Sequence, residues 1–347
     1  MIRAAARLMT QLEDEPHRLP ELFRAVADID GCRVAPLGCL LPRVVLGITG
    51  TPGSGKSTLV DALVREYRQR HPDRRIGVIA VDPSSPFTGG AVLGDRVRMM
   101  RHATDPMVFV RSMATRGHLG GLTLGVRAVI RVMALIGCDV VMVETVGVGQ
   151  SEIEVAGVAD LVLIVLAPGQ GDSIQLLKAG LMEIGDLFLV NKADRPEASR
   201  LHSYVLAMLK LGAAEAADLE HHADPAGAPD EAAPLEDPVG LAGQLAPDRI
   251  EPRAYLVSAF TNLGVPALVD DLEALSIEQF DRWTARRTRI VEHEVREAVL
   301  EAARRRLDLA LGPGLSFSDC VDDVLRGQVS VEDLAQDLLA RTSRSQV

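Results

Sequence analysis

Residues 44–57 read VVLGITGTPGSGKS, an apolar run followed at once by a glycine-rich turn. Residues 50–57 match the pattern G-x-x-x-x-G-K-[ST], and residues 59–67 behind them have the apolar spacing of a helix. Glycines let a backbone fold around an anion with its N–H groups pointing inward, and the helix amino terminus adds a favourable dipole. The segment predicts a phosphate-binding loop with these nucleotide contacts: Gly50, Thr51, Pro52, Gly53, Ser54, Gly55, Lys56, Ser57 and Thr58.

Short runs rich in Val, Ile and Leu alternate with longer stretches of helical spacing between residues 44 and 259. Runs that are apolar at every position indicate strands covered on both faces, and their alternation with helices indicates a mostly parallel sheet in an α/β domain. Together with the phosphate loop, this pattern predicts a P-loop NTPase fold. The predicted strands are residues 44–49, 76–81, 107–111, 139–143, 161–167, 187–190 and 255–257.

A base-reading motif follows the sixth of these runs. Asn191, Lys192 and Asp194 form the sequence N-K-x-D directly after residues 187–190. The Asp194 carboxylate can accept hydrogen bonds from guanine N1–H and the 2-amino group, whereas adenine offers neither donor and leaves the carboxylate unpaired. Ser258 and Ala259 follow the last predicted strand, where a backbone N–H would contact the guanine oxygen. The spacing therefore predicts GTP as the nucleotide.

Polar side chains at the ends of neighbouring strands are candidates for a Mg²⁺ site. Lys56 is placed to reach the β- and γ-phosphates, and the Ser57 hydroxyl to bind the ion. Asp82 and Glu144 each end an apolar run, and carboxylates at strand ends beside a phosphate loop hold Mg²⁺ directly or through water. Asp95 is a further candidate because it lies in a glycine-bearing loop that could close on the ion.

The group that positions the attacking water is open between two side chains. Glu144 and Gln150 are both candidates, and Lys56 and Asp82 complete the set of catalytic candidates. Gly147 is placed to donate its N–H to the γ-phosphate. This predicts a loop that orders with GTP and relaxes after hydrolysis.

Composition disfavours several classes of function. Lys and Arg number 37 against 48 Asp and Glu, and the net charge of −11 disfavours nonspecific nucleic-acid binding. The seven Phe, three Tyr and one Trp give little basis for stacking on single strands, and four scattered cysteines do not make a disulfide scaffold. No stretch approaches the roughly 20 apolar residues of a membrane span, and the first residues lack a secretory apolar core. We expect a cytoplasmic protein that binds neither nucleic acid nor membrane.

Three regions are predicted along the chain. Residues 1–40 form a helical extension, with amphipathic helix over the first thirty residues. Residues 41–280 form the nucleotide-binding domain, with a mobile insertion at 213–252 that contains ten acidic residues and six prolines. Residues 281–347 form a C-terminal helical arm for dimerisation, and its last helix begins with Ser330 and Asp333 in a capping-box variant.

Several segments also carry a family resemblance. Residues 81–96 contain V-D-P-S-S, T-G-G and L-G-D-R, which look like the first switch of the MeaB/ArgK family of G-protein chaperones. Residues 111–121, the run E-T-V-G-V-G-Q-S-E at 144–152 and the helix around Ala5 and Arg7 are similar to other family segments. Residues 171–180 resemble the family's third switch. The matching segments extend over about residues 4–195.

The resemblance implies a GTPase of the SIMIBI type, the group that includes signal-recognition and nickel-insertion GTPases. Members are usually homodimers that escort adenosylcobalamin-dependent acyl-CoA mutases, most often methylmalonyl-CoA mutase. They use GTP to gate cofactor loading by an adenosyltransferase and to protect or rescue the mutase. The nucleotide and Mg²⁺ residues that it implies are Lys56, Ser57, Asp82, Asp95 and Glu144. The residues that it places in the loop coupling the mutase to hydrolysis are Asp172, Gln175 and Lys178.

Other interpretations stay open from the sequence. A nickel-insertion GTPase needs a metal relay, but the chain has no His-rich tail and no C-x-x-C, and Cys32 and Cys39 have no obvious His partner. A P-loop kinase is disfavoured by Asp194, and a scaffold that scarcely hydrolyses GTP is consistent with the motifs. Residues 213–252 and the last third of the chain depart from the family pattern, so the identity of the client mutase stays open. Because no D-x-H-x-x-G run is present, we expect cobalamin to bind the partner and not this chain.

Overall fold

The computed structural model describes residues 2–14, 41–82, 102, 104–114, 121–145, 155–169, 181–222, 250–311, 324–326 and 328–344. Its seven strands form one sheet in the order β3-β2-β4-β1-β5-β6-β7, and every neighbouring pair is parallel. The strands are β1 Val44–Gly50, β2 Arg75–Asp82, β3 Val108–Ala114, β4 Cys138–Thr145, β5 Leu161–Leu166, β6 Leu187–Val190 and β7 Arg253–Leu256. All seven predicted strands are confirmed, as is the parallel α/β fold.

Eight helices accompany the sheet in the described residues. They are α1 Ile2–Asp14, α2 Lys56–Arg70, α3 Gly121–Leu135, α4 Leu181–Ile184, α5 Ala198–His222, α6 Val265–Glu278, α7 Phe280–Leu311 and α8 Val331–Arg344. The predicted cap of α8 is present, since Ser330 Oγ accepts a 3.0 Å hydrogen bond from the backbone N–H of Asp333.

The sheet is covered on both faces, as its continuous apolar runs predict. Alternate residues of β1 belong to two separate core clusters: Val45 lies in one, and Leu46 and Ile48 in the other. The first cluster contains buried residues of α1, α3 and α5, and the second contains those of α2 and α6. Because β1 is buried at all seven positions, the loop that follows it starts from a fixed point.

The structure corrects one expected boundary, and parts of two predicted segments lie outside the described residues. The predicted insertion begins at residue 213, but α5 continues to His222, so residues 213–222 are helical. No proline occurs in this stretch before Pro225, and its alanines favour helix. The rest of the predicted insertion up to residue 249 lies outside the described residues, as does the predicted N-terminal helix beyond Asp14.

The chain divides into two compact units, Met1–Trp283 and Thr284–Val347. The first unit contains the whole sheet and α1, whose residues Ala5, Met9 and Leu12 are buried in the first core cluster. The second contains most of α7 and all of α8. The three-region division at residues 40 and 280 stays a prediction.

Candidate functional site

The phosphate loop leaves β1 at the centre of the sheet and enters α2. Gly50 has a φ of 135° and Gly55 a φ of 94°, which is backbone that favours glycine. A Cβ at Gly50 would overlap the carbonyl oxygen of Val165 in β5, and one at Gly55 would lie 2.5 Å from Asn191 Nδ2. Both glycines are therefore required by the close approach of neighbouring strands and side chains.

Lys56 folds back across this loop. Its ammonium donates hydrogen bonds to the carbonyl oxygens of Gly50, at 2.8 Å, and Thr51, at 3.0 Å, and the residue is buried. The positive charge of Lys56 is thus held at the loop itself, beside the first turn of α2. This is where the predicted phosphate oxygens would lie.

Ser57, in the first turn of α2, meets Glu144, at the carboxyl end of β4, beside the loop. The Ser57 hydroxyl donates a 2.6 Å hydrogen bond to Glu144 Oε1, and both residues are buried. Asp82 ends β2, which pairs with β4 so that Ala80 lies opposite Glu144. The backbone thus brings the ends of three predicted metal-binding segments to one edge of the sheet, although the Asp82 side chain is not described.

Asn191 joins the phosphate loop to both base-reading turns. Its amide donates a 2.9 Å hydrogen bond to the carbonyl of Ser54, and its Oδ1 accepts one of 3.1 Å from the backbone N–H of Ala259. The side chain is almost fully buried. Asn191 therefore fixes the separation between the phosphate end and the base end of the site.

Asp194 faces outward at the base end and is oriented by Ser258. The Ser258 hydroxyl donates a 2.6 Å hydrogen bond to Asp194 Oδ1. This bond, followed by one from its own backbone amide, lowers the pKa of Asp194 below its ordinary value. Lys192 has a positive φ of 59°, and its ammonium donates a 2.8 Å hydrogen bond to the carbonyl of Gly53. The carboxylate is exposed and ionised, as a guanine reader requires.

The structure thus brings the phosphate loop, Glu144 and the N-K-x-D and Ser-Ala motifs to one edge of the sheet. Within the loop, Thr51 and Ser54 are buried, while Pro52, Gly53 and Thr58 are exposed. The other predicted site residues lie outside the described residues: Asp95, Gly147, Gln150, Asp172, Gln175 and Lys178.

Two positioning contacts were not found from the sequence. Thr145 Oγ1 donates a 2.8 Å hydrogen bond to Thr49 Oγ1, which links the ends of β4 and β1 directly below the site. The contact of Asn191 with Ser54 joins residues 137 positions apart. No pattern of neighbouring residues predicts either contact. The two threonines could still have been selected as candidates, because each is a polar residue near the end of an apolar strand.

A family model described as "Methylmalonyl Co-A mutase-associated GTPase MeaB" matches residues 42–308. The chain belongs to the MeaB family. This MeaB-family chain is 51% identical over 196 residues to a relative from Pyrococcus abyssi, covering 56% of this chain and 57% of the relative. It is 48% identical over 153 residues to GTPase ArgK of Escherichia coli, covering 43% and 44% of the two chains.

A third relative is named "Methylmalonic aciduria type A homolog, mitochondrial", from Caenorhabditis elegans. It is 41% identical to the MeaB-family chain over 149 residues, covering 43% of this chain and 37% of the relative. The matches thus span between 37% and 57% of the lengths of these relatives.

Solved structures resemble the chain more distantly. A LAO/AO transport system kinase is 23% identical over 98% of both chains, with a TM-score of 0.47. HypB from Helicobacter pylori in complex with nickel is 16% identical, covering 77% of this chain and 95% of that one, with a TM-score of 0.41. Both TM-scores are below 0.5, and the parallel seven-stranded sheet of this MeaB-family chain itself defines its fold.

Two further properties concern the described part of the chain alone. No helix there combines the length and apolar content needed to cross a membrane. No group of three or more His, Cys, Asp or Glu side chains there is arranged to hold a metal ion.

Proposed function

We propose that this MeaB-family chain binds and hydrolyses GTP at the carboxyl ends of β1, β4, β6 and β7. The observation that carries the proposal is the bridging position of Asn191, which is bonded to both Ser54 and Ala259. A phosphate loop alone would accept many phosphorylated ligands. A phosphate loop tied to a guanine-reading motif selects a guanosine nucleotide.

The phosphate end supplies charge and directed N–H groups. When phosphate enters, Lys56 exchanges its bonds to the carbonyls of Gly50 and Thr51 for bonds to the β- and γ-phosphate oxygens. The amino terminus of α2 adds its dipole to this attraction. Positioning and electrostatic stabilisation are what phosphoryl transfer chiefly requires from a protein.

The residues near the loop fit a Mg²⁺ ion. The buried oxygen atoms of Ser57 and Glu144, 2.6 Å apart, are the hard donors that this ion prefers. Asp82 and Asp95 are proposed to complete the set, and Gln150 or Glu144 to orient the attacking water. When bound, Mg²⁺ would neutralise charge that develops on the β- and γ-phosphates.

The base end supplies specificity. With the Asp194 carboxylate ionised and oriented by Ser258, guanine N1–H and its 2-amino group find two acceptor sites. Adenine would leave this carboxylate without those donors, so the carboxylate favours guanine over adenine. GTP is therefore preferred to ATP, which also argues against an ATP-dependent kinase.

The proposed partner is an adenosylcobalamin-dependent acyl-CoA mutase, either methylmalonyl-CoA mutase or a related enzyme. The description of the matching family model supports this choice. In this role the chain gates loading of the cofactor by an adenosyltransferase and protects or reactivates the mutase, while cobalamin itself stays on the partner. Asp172, Gln175 and Lys178 are proposed to couple mutase binding to hydrolysis, and the protein to act as a cytoplasmic homodimer.

The decisive experiment measures GTP hydrolysis with and without a purified mutase from the same source. We expect strong mutase-dependent stimulation with GTP and none with ATP. The variant Asp194→Asn is the matched control, because it removes the charge that reads guanine while leaving the phosphate loop unchanged. If the chain hydrolyses GTP but no such mutase stimulates the reaction, it is still a GTPase, but the proposed partner is wrong. Metal insertion would then be the favoured function.

A second variant tests the coupling loop. Lys178→Ala is expected to keep nucleotide binding but lose most of the mutase-stimulated turnover. Full stimulation in this variant would contradict the proposed role of Lys178.

A further inference from the structure

A cleft of about 100 Å³ lies at the amino ends of β1 and β4, on the opposite edge of the sheet from the phosphate loop. The last turns of α2 and α6 close its other sides. Because α2 has 15 residues and starts at the phosphate loop, about 20 Å of helix separates the cleft from the nucleotide site. The cleft therefore serves some ligand other than the nucleotide.

The charge that lines the cleft is mainly positive. Arg43 and Arg74 contribute two guanidinium groups, whereas Glu273 contributes one carboxylate. That carboxylate already has basic partners, since its Oε1 lies 2.5 Å from His71 Nε2 and its Oε2 lies 3.9 Å from Arg70 Nη1. The excess of positive charge favours an anionic ligand.

Tyr67 places a buried donor in the wall of the cleft. The residue is only 3% exposed, and its hydroxyl makes no hydrogen bond with the residues that the structure describes. Burial, followed by the charge of Glu273, raises the pKa of Tyr67, so the hydroxyl keeps its proton and is available as a donor. A buried donor without a partner costs free energy, which a ligand oxygen at this place would recover.

The rest of the lining is apolar. Val44 and Val140 are buried strand residues, and Ile277 at the end of α6 borders the cleft while 66% exposed. A pocket that combines a few convergent polar groups with an apolar wall is typical of a site for a small organic ligand. The apolar wall fits a short hydrocarbon chain better than a fully hydrated inorganic anion.

We propose that this cleft binds a short-chain monocarboxylate. Its carboxylate accepts hydrogen bonds from the guanidinium of Arg74 and the hydroxyl of Tyr67, and its carbon chain contacts Ile277 and the two valines. Guanidinium groups bind carboxylates through paired N–H donors. Since Glu273 also lines the cleft, a singly charged carboxylate is more favourable there than a doubly charged phosphate. The site is independent of the nucleotide site, so the inference stands or falls separately from the proposed function.

The test titrates the full chain with acetate and butyrate, in a buffer free of other carboxylates and of phosphate, and follows binding by saturation-transfer NMR. Butyrate is expected to bind about tenfold more tightly than acetate, because two more methylene groups contact the apolar wall. Butylammonium, which has a similar chain and the opposite charge, should not bind. Saturating GDP with Mg²⁺ should leave the dissociation constant of butyrate unchanged.

Four variants assign the contacts. Arg74→Met is expected to raise the dissociation constants of both acids by at least tenfold and by the same factor, and Tyr67→Phe to raise them severalfold while keeping the buried ring. Ile277→Ser should instead reduce the preference for butyrate over acetate. Arg200→Met, at an exposed position of α5, is the control and should leave both constants unchanged.

Several results would overturn the proposal. It is wrong if the wild-type chain binds neither acid, if butylammonium binds as tightly as butyrate, or if inorganic phosphate binds more tightly than both acids. It is also wrong if GDP displaces butyrate, because the acid would then lie in the nucleotide site. Unchanged binding of butyrate to both Arg74→Met and Tyr67→Phe would place the carboxylate elsewhere. The ligand series on the wild-type chain keeps the proposal testable even if a variant fails to fold.

Discussion

At the scale of the residue, one hydrogen bond sets the electrostatics of the base site. The Ser258 hydroxyl stabilises the ionised form of Asp194 and is the largest cause of the lowered pKa of that carboxylate. As the pH falls through this pKa, the carboxylate becomes protonated and loses acceptor capacity for guanine. A lower pKa therefore extends guanine binding to more acidic conditions.

Ser258→Ala removes this stabilisation, so the pKa of Asp194 moves up toward its ordinary value. We expect the affinity for GDP to decrease severalfold at neutral pH and to be lost at a higher pH than in the wild-type chain. The measurement is the GDP dissociation constant between about pH 3 and pH 7, a range that includes the ordinary Asp pKa of about 3.9 and extends below it. Ser203→Ala, at an exposed position of α5, should follow the wild-type curve. Identical curves for Ser258→Ala and wild type would contradict this role of Ser258.

The sequence predicted the role of a site residue where that residue acts together with its neighbours in the chain. Lys56 and Ser57 follow from the loop pattern, and Asp194 from a four-residue motif. Asn191 was assigned to the base, but its described contacts are with Ser54 and the backbone of Ala259. Those partners lie 137 and 68 residues away, so only the fold brings them together.

At the scale of the element, all seven strands were predictable because the parallel sheet is buried on both faces, which leaves a continuous apolar run in each strand. The order of the strands was not predictable, because it depends on pairings between distant segments. β1, for example, lies between β4 and β5 and not beside β2. The first ten residues of the predicted insertion, 213–222, are helical, because acidic, alanine-rich sequence is compatible with both helix and loop.

A buried carboxylate links the amino ends of β1 and β5. Asp160, just before β5, accepts a 2.7 Å hydrogen bond from the backbone N–H of Val45. Asp160→Ala leaves that buried group without its acceptor and is expected to lower the free energy of unfolding by about 1–3 kcal/mol. Urea denaturation measures this loss. Asp160→Asn keeps an acceptor oxygen and should lower the free energy of unfolding by less than Asp160→Ala. Asp73→Ala, at an exposed position, is the control. If Asp160→Ala lowers the free energy of unfolding no more than this control does, the prediction is contradicted.

At the scale of the whole molecule, nucleotide binding and folding are linked, because the described site residues all belong to the unit Met1–Trp283. A ligand at 100 times its dissociation constant stabilises the folded state by about 2.7 kcal/mol. We therefore expect GDP with Mg²⁺ to raise the unfolding temperature by a few degrees and ADP to raise it less. Calorimetry of the wild-type chain and of Asp194→Asn checks this prediction. Equal shifts with GDP and ADP in the wild-type chain would show that Asp194 does not read the base.

The second unit, Thr284–Val347, bears on the proposed homodimer. Val295 and Val299 lie one helical turn apart on α7 and are 56% and 61% exposed, which gives this helix an apolar stripe. If the stripe pairs with a second copy, the double variant Val295→Glu/Val299→Glu places charges in the interface and should convert the dimer to a monomer of 37.2 kDa. Light scattering at several concentrations measures the mass, with Leu206→Glu on α5 as the control. A wild-type chain that is monomeric at every concentration would contradict the dimer, and a double variant that stays dimeric would place the interface elsewhere.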